Sequence, residues 1–353
     1  MRLSIILPVY NGETHVKRAI QSALQQHVSE VEVIVVDDAS TDGTVGVVES
    51  LTQTDSRIQV CRLEDNVGVH AARHEGVKRA VGKYVGFLDA DDWIGRYCYQ
   101  DLIAACEESN SDAAICGMFL AKGSGGNECR AHVRFPHRKV YDDCLFERFC
   151  SWEFKSGSLC NKVYRSELIK SLDAWSTSRR VSINEDYLVN INFFMAAKRV
   201  VTISEMGYFA FEDCRSVTRT SENVSLLAGA LVAYLEAVRI IGSDDEESLK
   251  QLDRLFCRTL SFPVYSVDPF RVSTERQLVL NGLIQDICRI RPEFLYKWAT
   301  AKSVSPRSPR RLEGKGGKLM SLLPARVLES LRKALGVTHA EIGKRSNHPN
   351  SAE

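Results

Sequence analysis

Neither sign of charge prevails in this chain of 353 residues: 46 Lys and Arg face 45 Asp and Glu, for a formal net charge of +1 at pH 7. So even a balance gives no chain-wide surface for phosphates, which excludes nucleic acid as the main partner. The 11 cysteines include no CxxC pair, so a zinc knuckle is excluded, and their odd number and scatter fit reduced thiols of a cytoplasm rather than a disulfide framework. No apolar run approaches the roughly 20 residues that cross a bilayer. The nearest, LLAGALVAYLEAVRIIG, is interrupted by Glu236 and Arg239. The opening MRLSIILPVYNGE meets polar and turn residues before a signal-peptide core is complete, so no secretion signal is expected. No internal repeat is present. The expectation is a cytoplasmic protein, soluble or peripheral on the cytoplasmic face of the membrane.

What the chain does have is a globular composition, 44% hydrophobic and 26% charged, far from the pattern that keeps a chain disordered. At roughly 150 residues per domain, its length suits two domains with extra elements. Short β-branched runs at Leu3 to Val9, Val31 to Val36, Ile58 to Arg62 and Tyr84 to Leu88 read as strands. Helical patterns separate them, and in the first Val16, Ile20, Ala23 and Leu24 form one apolar stripe. Strand, helix and strand at this spacing predict an α/β fold with a mostly parallel, Rossmann-type sheet flanked by helices. Ligands of such sheets bind outside the carboxyl ends of the strands. After Ser225 three amphipathic helices predict a C-terminal helical appendage. Beyond Ala301 a Ser-, Pro-, Gly- and Arg-rich linker leads to a short basic amphipathic helix, 319–336, which can contact an anionic membrane, and to a flexible tail.

Each strand end carries polar residues. The apolar run KYVGFLDADDW ends in Asp89, Ala90, Asp91 and Asp92. Side chains two apart on a strand share a face, so Asp89 and Asp91 are expected to point into one site. Two clustered carboxylates need an offsetting cation, and Mg²⁺ or Mn²⁺ typically takes one or two carboxylates plus substrate phosphate oxygens. The second strand ends in VIVVDDASTDGT, placing Asp37 and Asp38 at the same edge, where a carboxylate can accept from a ribose or a base N–H. The first ends in PVYNG, where Pro8 fixes the backbone and Tyr10 can face a base ring. Asn66 is suited to cap the helix that carries Arg73, whose guanidinium fork suits a pair of phosphate oxygens.

In this order the ends PVYNG, VDDASTDGT, NVGVHAAR and FLDADDW resemble the nucleotide-sugar-binding half of family 2 glycosyltransferases. The resemblance runs from about Met1 to Phe211. It implies a GT-A-like fold and an inverting enzyme that moves one sugar from a nucleoside-diphosphate sugar, a UDP-sugar first of all, to a hydroxyl of a glycan or lipid-linked acceptor in polysaccharide or cell-envelope synthesis. It also implies donor contacts by Pro8, Tyr10, Asn11, Asn66 and Arg73, with Asp38 on the uridine. Asp89 would meet the ribose or the metal, and Asp91 a Mn²⁺ or Mg²⁺ bridging the diphosphate. LCNKVYRSELI extends the likeness and puts Lys162 near a phosphate; NEDY places Asp186 as the catalytic base. Ser182 and Glu185 have the spacing of a capping box, which would occupy Glu185 and leave Asp186 the freer acid. The organisation implied is a nucleotide-sugar-binding half at 1–110, an acceptor-binding half at 111–223, a helical region at 224–300 and a tail at 301–353.

Three other readings compete. Haloacid-dehalogenase-like phosphatases also end a strand in DxD, but near the first strand, whereas here the motif falls on the fourth. A dehydrogenase lacks its GxGxxG after the first strand. An inactive binding or scaffolding subunit is disfavoured by the presence of all the acids. No QxxRW motif of processive synthases occurs, so one sugar per encounter is expected.

Overall fold

The computed structural model describes residues 2–122, 128–212, 222–267 and 273–300. The chain divides into two compact units, Met1–Ser216 and Val217–Glu353.

The first unit is built on a ten-stranded sheet of order β3-β2-β1-β4-β9-β6-β10-β5, with β7 on β6 and β8 on β10. Its strands are β1 Leu3–Val9, β2 Val31–Asp37, β3 Ile58–Arg62, β4 Tyr84–Phe87, β5 Trp93–Ile94, β6 Ala113–Lys122, β7 Glu128–Val133, β8 Lys139–Tyr141, β9 Lys162–Arg165 and β10 Val200–Phe211. The four strands expected from the sequence are present, with ends within one residue of the reading. Every residue of β1 and β2 is buried, as strands covered on both faces are, and the polar Ser4 and Glu32 among them hydrogen-bond to each other. β1 to β4 pair in parallel. Beyond β4 the sheet is mixed, since β9 runs antiparallel to both β4 and β6.

Pro8 sits in this central strand at no cost to the ladder. Leu88 donates to the Ile6 carbonyl (3.0 Å) at the last β1–β4 contact. Backbone groups alternate sides, so the position that lacks an N–H faces β4 only after β4 has left.

The helices of this unit are α1 Val16–Leu24, α2 Thr44–Thr52, α3 Val69–Arg79, α4 Cys98–Ser109, α5 Leu145–Cys150, α6 Ser166–Lys170 and α7 Glu185–Ala196. α1 buries Val16, Ala19, Ile20 and Ala23, close to the predicted stripe, with Leu24 only half-buried.

The second unit contains α8 Asn223–Ile241, α9 Glu246–Leu260, α10 Thr274–Ile290 and α11 Pro292–Thr300. Its core stacks Tyr234 on Phe294 with ring centres 3.9 Å apart. The fully buried Asp253 is satisfied by Tyr234 Oη (2.7 Å), Arg291 (3.0 Å) and Lys297 (3.1 Å). α8 is long and apolar enough to cross a membrane and is mostly buried. Its Glu236 is buried and pairs with Arg239 at 2.9 Å. The basic helix expected at 319–336 lies outside the described residues.

Candidate active site

The loops after β1, β2, β3 and β4 meet at the carboxyl edge of the parallel strands. Asn11, in the left-handed region at φ 52°, donates its N–H to Ser40 Oγ (2.9 Å) and accepts the Thr41 N–H on Oδ1 (2.8 Å). Gly12 N–H donates to Thr44 Oγ1 (2.8 Å). These bonds lace the first two loops together and leave Tyr10 51% exposed at the rim, a ring available to stack.

Asp38 is buried, and its two carboxylate oxygens accept the backbone N–H groups of Val67 (2.8 Å) and Gly68 (2.9 Å). It thereby holds the start of α3, where Gly68 takes φ 92°, a conformation that favours glycine. Asn66 does not cap that helix. Its amide donates to the Asp38 carbonyl (3.2 Å) and its oxygen accepts from Arg180 (2.6 Å); the cap position is Gly68. Asp37, which the sequence reading did not single out as a ligand, buries Oδ1 without a partner. Nothing in the sequence separates it from Asp38.

The acidic motif is not on a strand. β4 ends at Phe87, and Asp89 to Asp92 form a turn closed by the Asp92 N–H donating to the Asp89 carbonyl (3.1 Å). The shared-face argument for Asp89 and Asp91 is therefore replaced by turn geometry. Asp92 anchors the turn: its carboxylate accepts from Tyr208 Oη (2.5 Å) and Phe211 N–H (2.7 Å) on β10. Burial, with Asp91 and Asp89 beside it, holds its carboxyl well above the usual range. Arg18 of α1 ties the Asp91 carbonyl (2.5 Å) and lies over the Trp93 ring, 4.1 Å from its centre. Asp92, Tyr208 and Arg18 escaped the sequence reading because their roles depend on partners up to 119 residues away.

Arg73 is not directed at a phosphate by its own fork. Buried on α3, it donates one Nη to Asp89 Oδ1 (2.7 Å) and the other to Glu185 Oε1 (2.8 Å). Burial pushes the guanidinium down, but the two carboxylates more than reverse this and hold it well above its ordinary value. The arginine is a strut from the acidic turn to the first turn of α7. It takes Glu185 away from the expected capping box: α7 starts after Asn184 at φ 58°, with no side-chain cap.

Asp186 keeps some exposed surface and accepts the Tyr187 N–H on Oδ1 (2.9 Å). Desolvation first, then the neighbouring Glu185, push its carboxyl up to about 7, against the pull of Arg73 and Lys162. A carboxyl poised near neutrality suits general base chemistry. Lys162, expected near a phosphate, is instead fully buried. Its ammonium donates to the Ser156 carbonyl (3.3 Å), the Ser158 carbonyl and Asn161 Oδ1 (3.1 Å), which leaves no proton for a ligand. The site as a whole thus joins Asp89, Arg73, Glu185 and Asp186 in sequence, with Asp91 in the same turn as Asp89.

The residues suit a divalent cation in one respect. Two carboxylates in a tight turn match the habit of magnesium and manganese, which complete their shell with substrate phosphates. No group of three or more His, Cys, Asp or Glu that could hold a metal by itself occurs among the described residues.

Residues 4–172 match the model of Glycosyl transferase family 2. The chain is 28% identical over 298 residues to the poly(ribitol-phosphate) beta-N-acetylglucosaminyltransferase TarS of Staphylococcus aureus, covering 83% of this chain and 50% of that protein. It is 33% identical over 143 residues to the putative teichuronic acid biosynthesis glycosyltransferase TuaG of Bacillus subtilis, covering 40% and 56%. The chain spans about half the length of these curated relatives. Among solved structures, residues 1–349 of S. aureus TarS in complex with UDP-GlcNAc superpose with a TM-score of 0.67 at 23% identity, covering 85% of this chain and 84% of that one. The complex with UDP gives 0.64 at 24%, covering 84% and 83%. At these identities the likeness establishes the fold, an α/β, GT-A-like sheet flanked by helices.

Proposed function

The chain belongs to glycosyltransferase family 2 through its residues 4–172, and on that premise we propose that it transfers one sugar, with inversion, from a UDP-sugar to a hydroxyl of a cell-envelope glycopolymer. N-acetylglucosamine is the sugar and a polyol-phosphate polymer the acceptor that the TarS likeness favours. The observation that carries the reading is the chain of contacts from the acidic turn through Arg73 to the first turn of α7, which supports a reading in which the carboxylates of that turn meet a cation beside a carboxyl poised near 7.

The donor would lie across the strand ends, its base near Tyr10, Asn11, Pro8, Asn66 and the acids that close β2. Asp38 accepts one backbone N–H on each oxygen and keeps a second lone pair on both, so it stays the proposed acceptor for a base N–H, with Asp37 beside it. Asp89 and Asp91 would hold a divalent ion, which when bound offsets the charge of the departing diphosphate. Asp186 takes the proton of the acceptor hydroxyl. That oxygen bonds to the anomeric carbon as the carbon–oxygen bond to the β-phosphate breaks, and UDP leaves. Base catalysis of this kind contributes roughly 10²- to 10⁴-fold. We place the reaction in the cytoplasm, a reading supported by free thiols at the described cysteines.

The test measures UDP release from UDP-GlcNAc with Mn²⁺, with and without a polyol-phosphate acceptor. Acceptor-dependent release is expected. Asp91→Asn should lose metal-dependent donor binding, while Asp186→Asn should bind donor and fail to transfer. Wild-type transfer by Asp186→Asn would remove Asp186 from its role. A thermal shift with GDP- or dTDP-sugars but not UDP-sugars would overturn the donor.

A further inference from the structure

Among the described residues Lys162 is the one lysine that is completely buried, and the transfer chemistry above makes no use of it. All three of its protons go to uncharged oxygens: the carbonyls of Ser156 and Ser158 and the side chain of Asn161. Holding those acceptors requires a donor but no charge, and burying an ammonium without a compensating anion is expensive. The geometry of two elements shows where the anion lies. On β9, Lys162 and Tyr164 are two residues apart and share a face. On α7, Asp186 and Asn190 are four apart and also share a face. Tyr164 Oη donates to Asn190 Oδ1 (2.9 Å), which packs this face of β9 against this face of α7 and brings Lys162 and Asp186 within electrostatic reach of each other, without a direct ion pair. Asp186 is the strongest opposite charge that Lys162 meets.

The same loop is held from the helix side. Asn190 Nδ2 donates to the Gly157 carbonyl (2.7 Å), and Gly157 lies so close to the Tyr187 ring that a Cβ there would overlap it. Asn161 Nδ2 in turn donates to the Cys116 carbonyl (2.7 Å) on β6. The loop at 156–161 is therefore clamped between the sheet and the first turns of α7.

We propose that Lys162 is a positioning residue for the transfer, an ammonium buried beneath α7 that clamps the 156–161 loop and sets a positive charge opposite Asp186. The proposal rests on Asp186 being the base. The groups that face Asp186 are Glu185 on its own helix, Arg73 from α3, and Lys162 and the Tyr164 phenol from β9. Glu185 and desolvation disfavour the ionised carboxylate, and the two cations favour it. Removing one cation must therefore raise the pH at which the base becomes available.

The experiment is the pH profile of transfer to acceptor. Lys162→Gln keeps donors for the loop carbonyls and drops the charge, and Lys162→Met drops both. In each, the acid limb should move to higher pH, the direction in which losing a nearby opposite charge acts on a carboxyl. Transfer below pH 7 then falls while transfer above the limb is kept, with the donor KM unchanged. Tyr164→Phe, which loosens the same loop without altering a charge, should lower the melting temperature and leave the limb in place. A folded Lys162→Gln whose limb coincides with the wild type overturns the proposal, as does a Tyr164→Phe limb that moves equally. Full transfer by Asp186→Asn overturns instead the assignment of the base, so the two failures are told apart.

Discussion

Replacing Arg73 by methionine keeps much of the side-chain volume and removes the guanidinium that joins Asp89 to Glu185. The lost contacts are 2.7 and 2.8 Å long, and the arginine side chain is 5% exposed. The two acids do not suffer equally. Asp89 is 37% exposed, so water takes over much of its solvation and its share is discounted. Glu185 is 14% exposed and is left as a recessed charge with no partner of opposite sign on its oxygen; breaking a buried pair in this way costs about 3–5 kcal/mol. We expect Arg73→Met to destabilise the Met1–Ser216 unit by an amount in that range, and a further Glu185→Leu change to recover much of it. Urea denaturation followed by tryptophan fluorescence reads the effect directly, because Trp93, Trp152 and Trp175 lie in this unit and Trp175 stacks on His74 of α3. The reasoning is refuted if stability moves by less than about 0.5 kcal/mol, the range of an ordinary surface change, while UDP affinity collapses. Arg73 would then touch the diphosphate directly.

The remaining predictions concern the carboxylates. The folded Asp186 carboxyl holds its proton up to about pH 7, against about 3.9 when unfolded. It therefore favours the folded state below about pH 4, and that contribution is lost as pH rises through 7. Asp186→Asn should accordingly raise the melting temperature at pH 8 more than at pH 5, and equal shifts at both would contradict a desolvated acid. With only Asp89 and Asp91 offered by the protein, Mn²⁺ titrated calorimetrically should bind at least tenfold more tightly with UDP present than without. Equal affinities would mean a complete protein site.

Much of the fold was legible because its signals are local. The mostly apolar runs of β1 and β2, the turn residues after them and the stripe of α1 each lie within ten residues, and the four strand ends could be aligned to one edge from chain order alone. The helical region after Ser225 was legible for the same reason. The site was legible in its residue types but not in its partnerships. Asp38 and Asp37 are adjacent acids with the same local pattern, and only the position of the Val67 and Gly68 amides distinguishes the one that holds the start of α3. A capping box at Ser182 and Glu185 was a sound local expectation; it lost to Arg73, 112 residues distant, because a charge-assisted bond in a recessed site outweighs a surface cap. Lys162 was expected near a phosphate and is buried instead, because composition carries no sign that β9 enters the middle of the sheet.

That entry of β9 has a consequence for biosynthesis. The four residues of β4, Tyr84–Phe87, are all buried, and one side of the strand is paired only by residues 163–165. A ribosome adding about 5–20 residues per second needs roughly 4–15 s to make the intervening chain. For that interval the nascent polypeptide presents an unpaired strand edge, with free backbone N–H and C=O groups between apolar side chains. The protein should thus depend on chaperones while it is being made far more than the finished molecule would suggest, and fragments ending before Lys162 should collect in inclusion bodies.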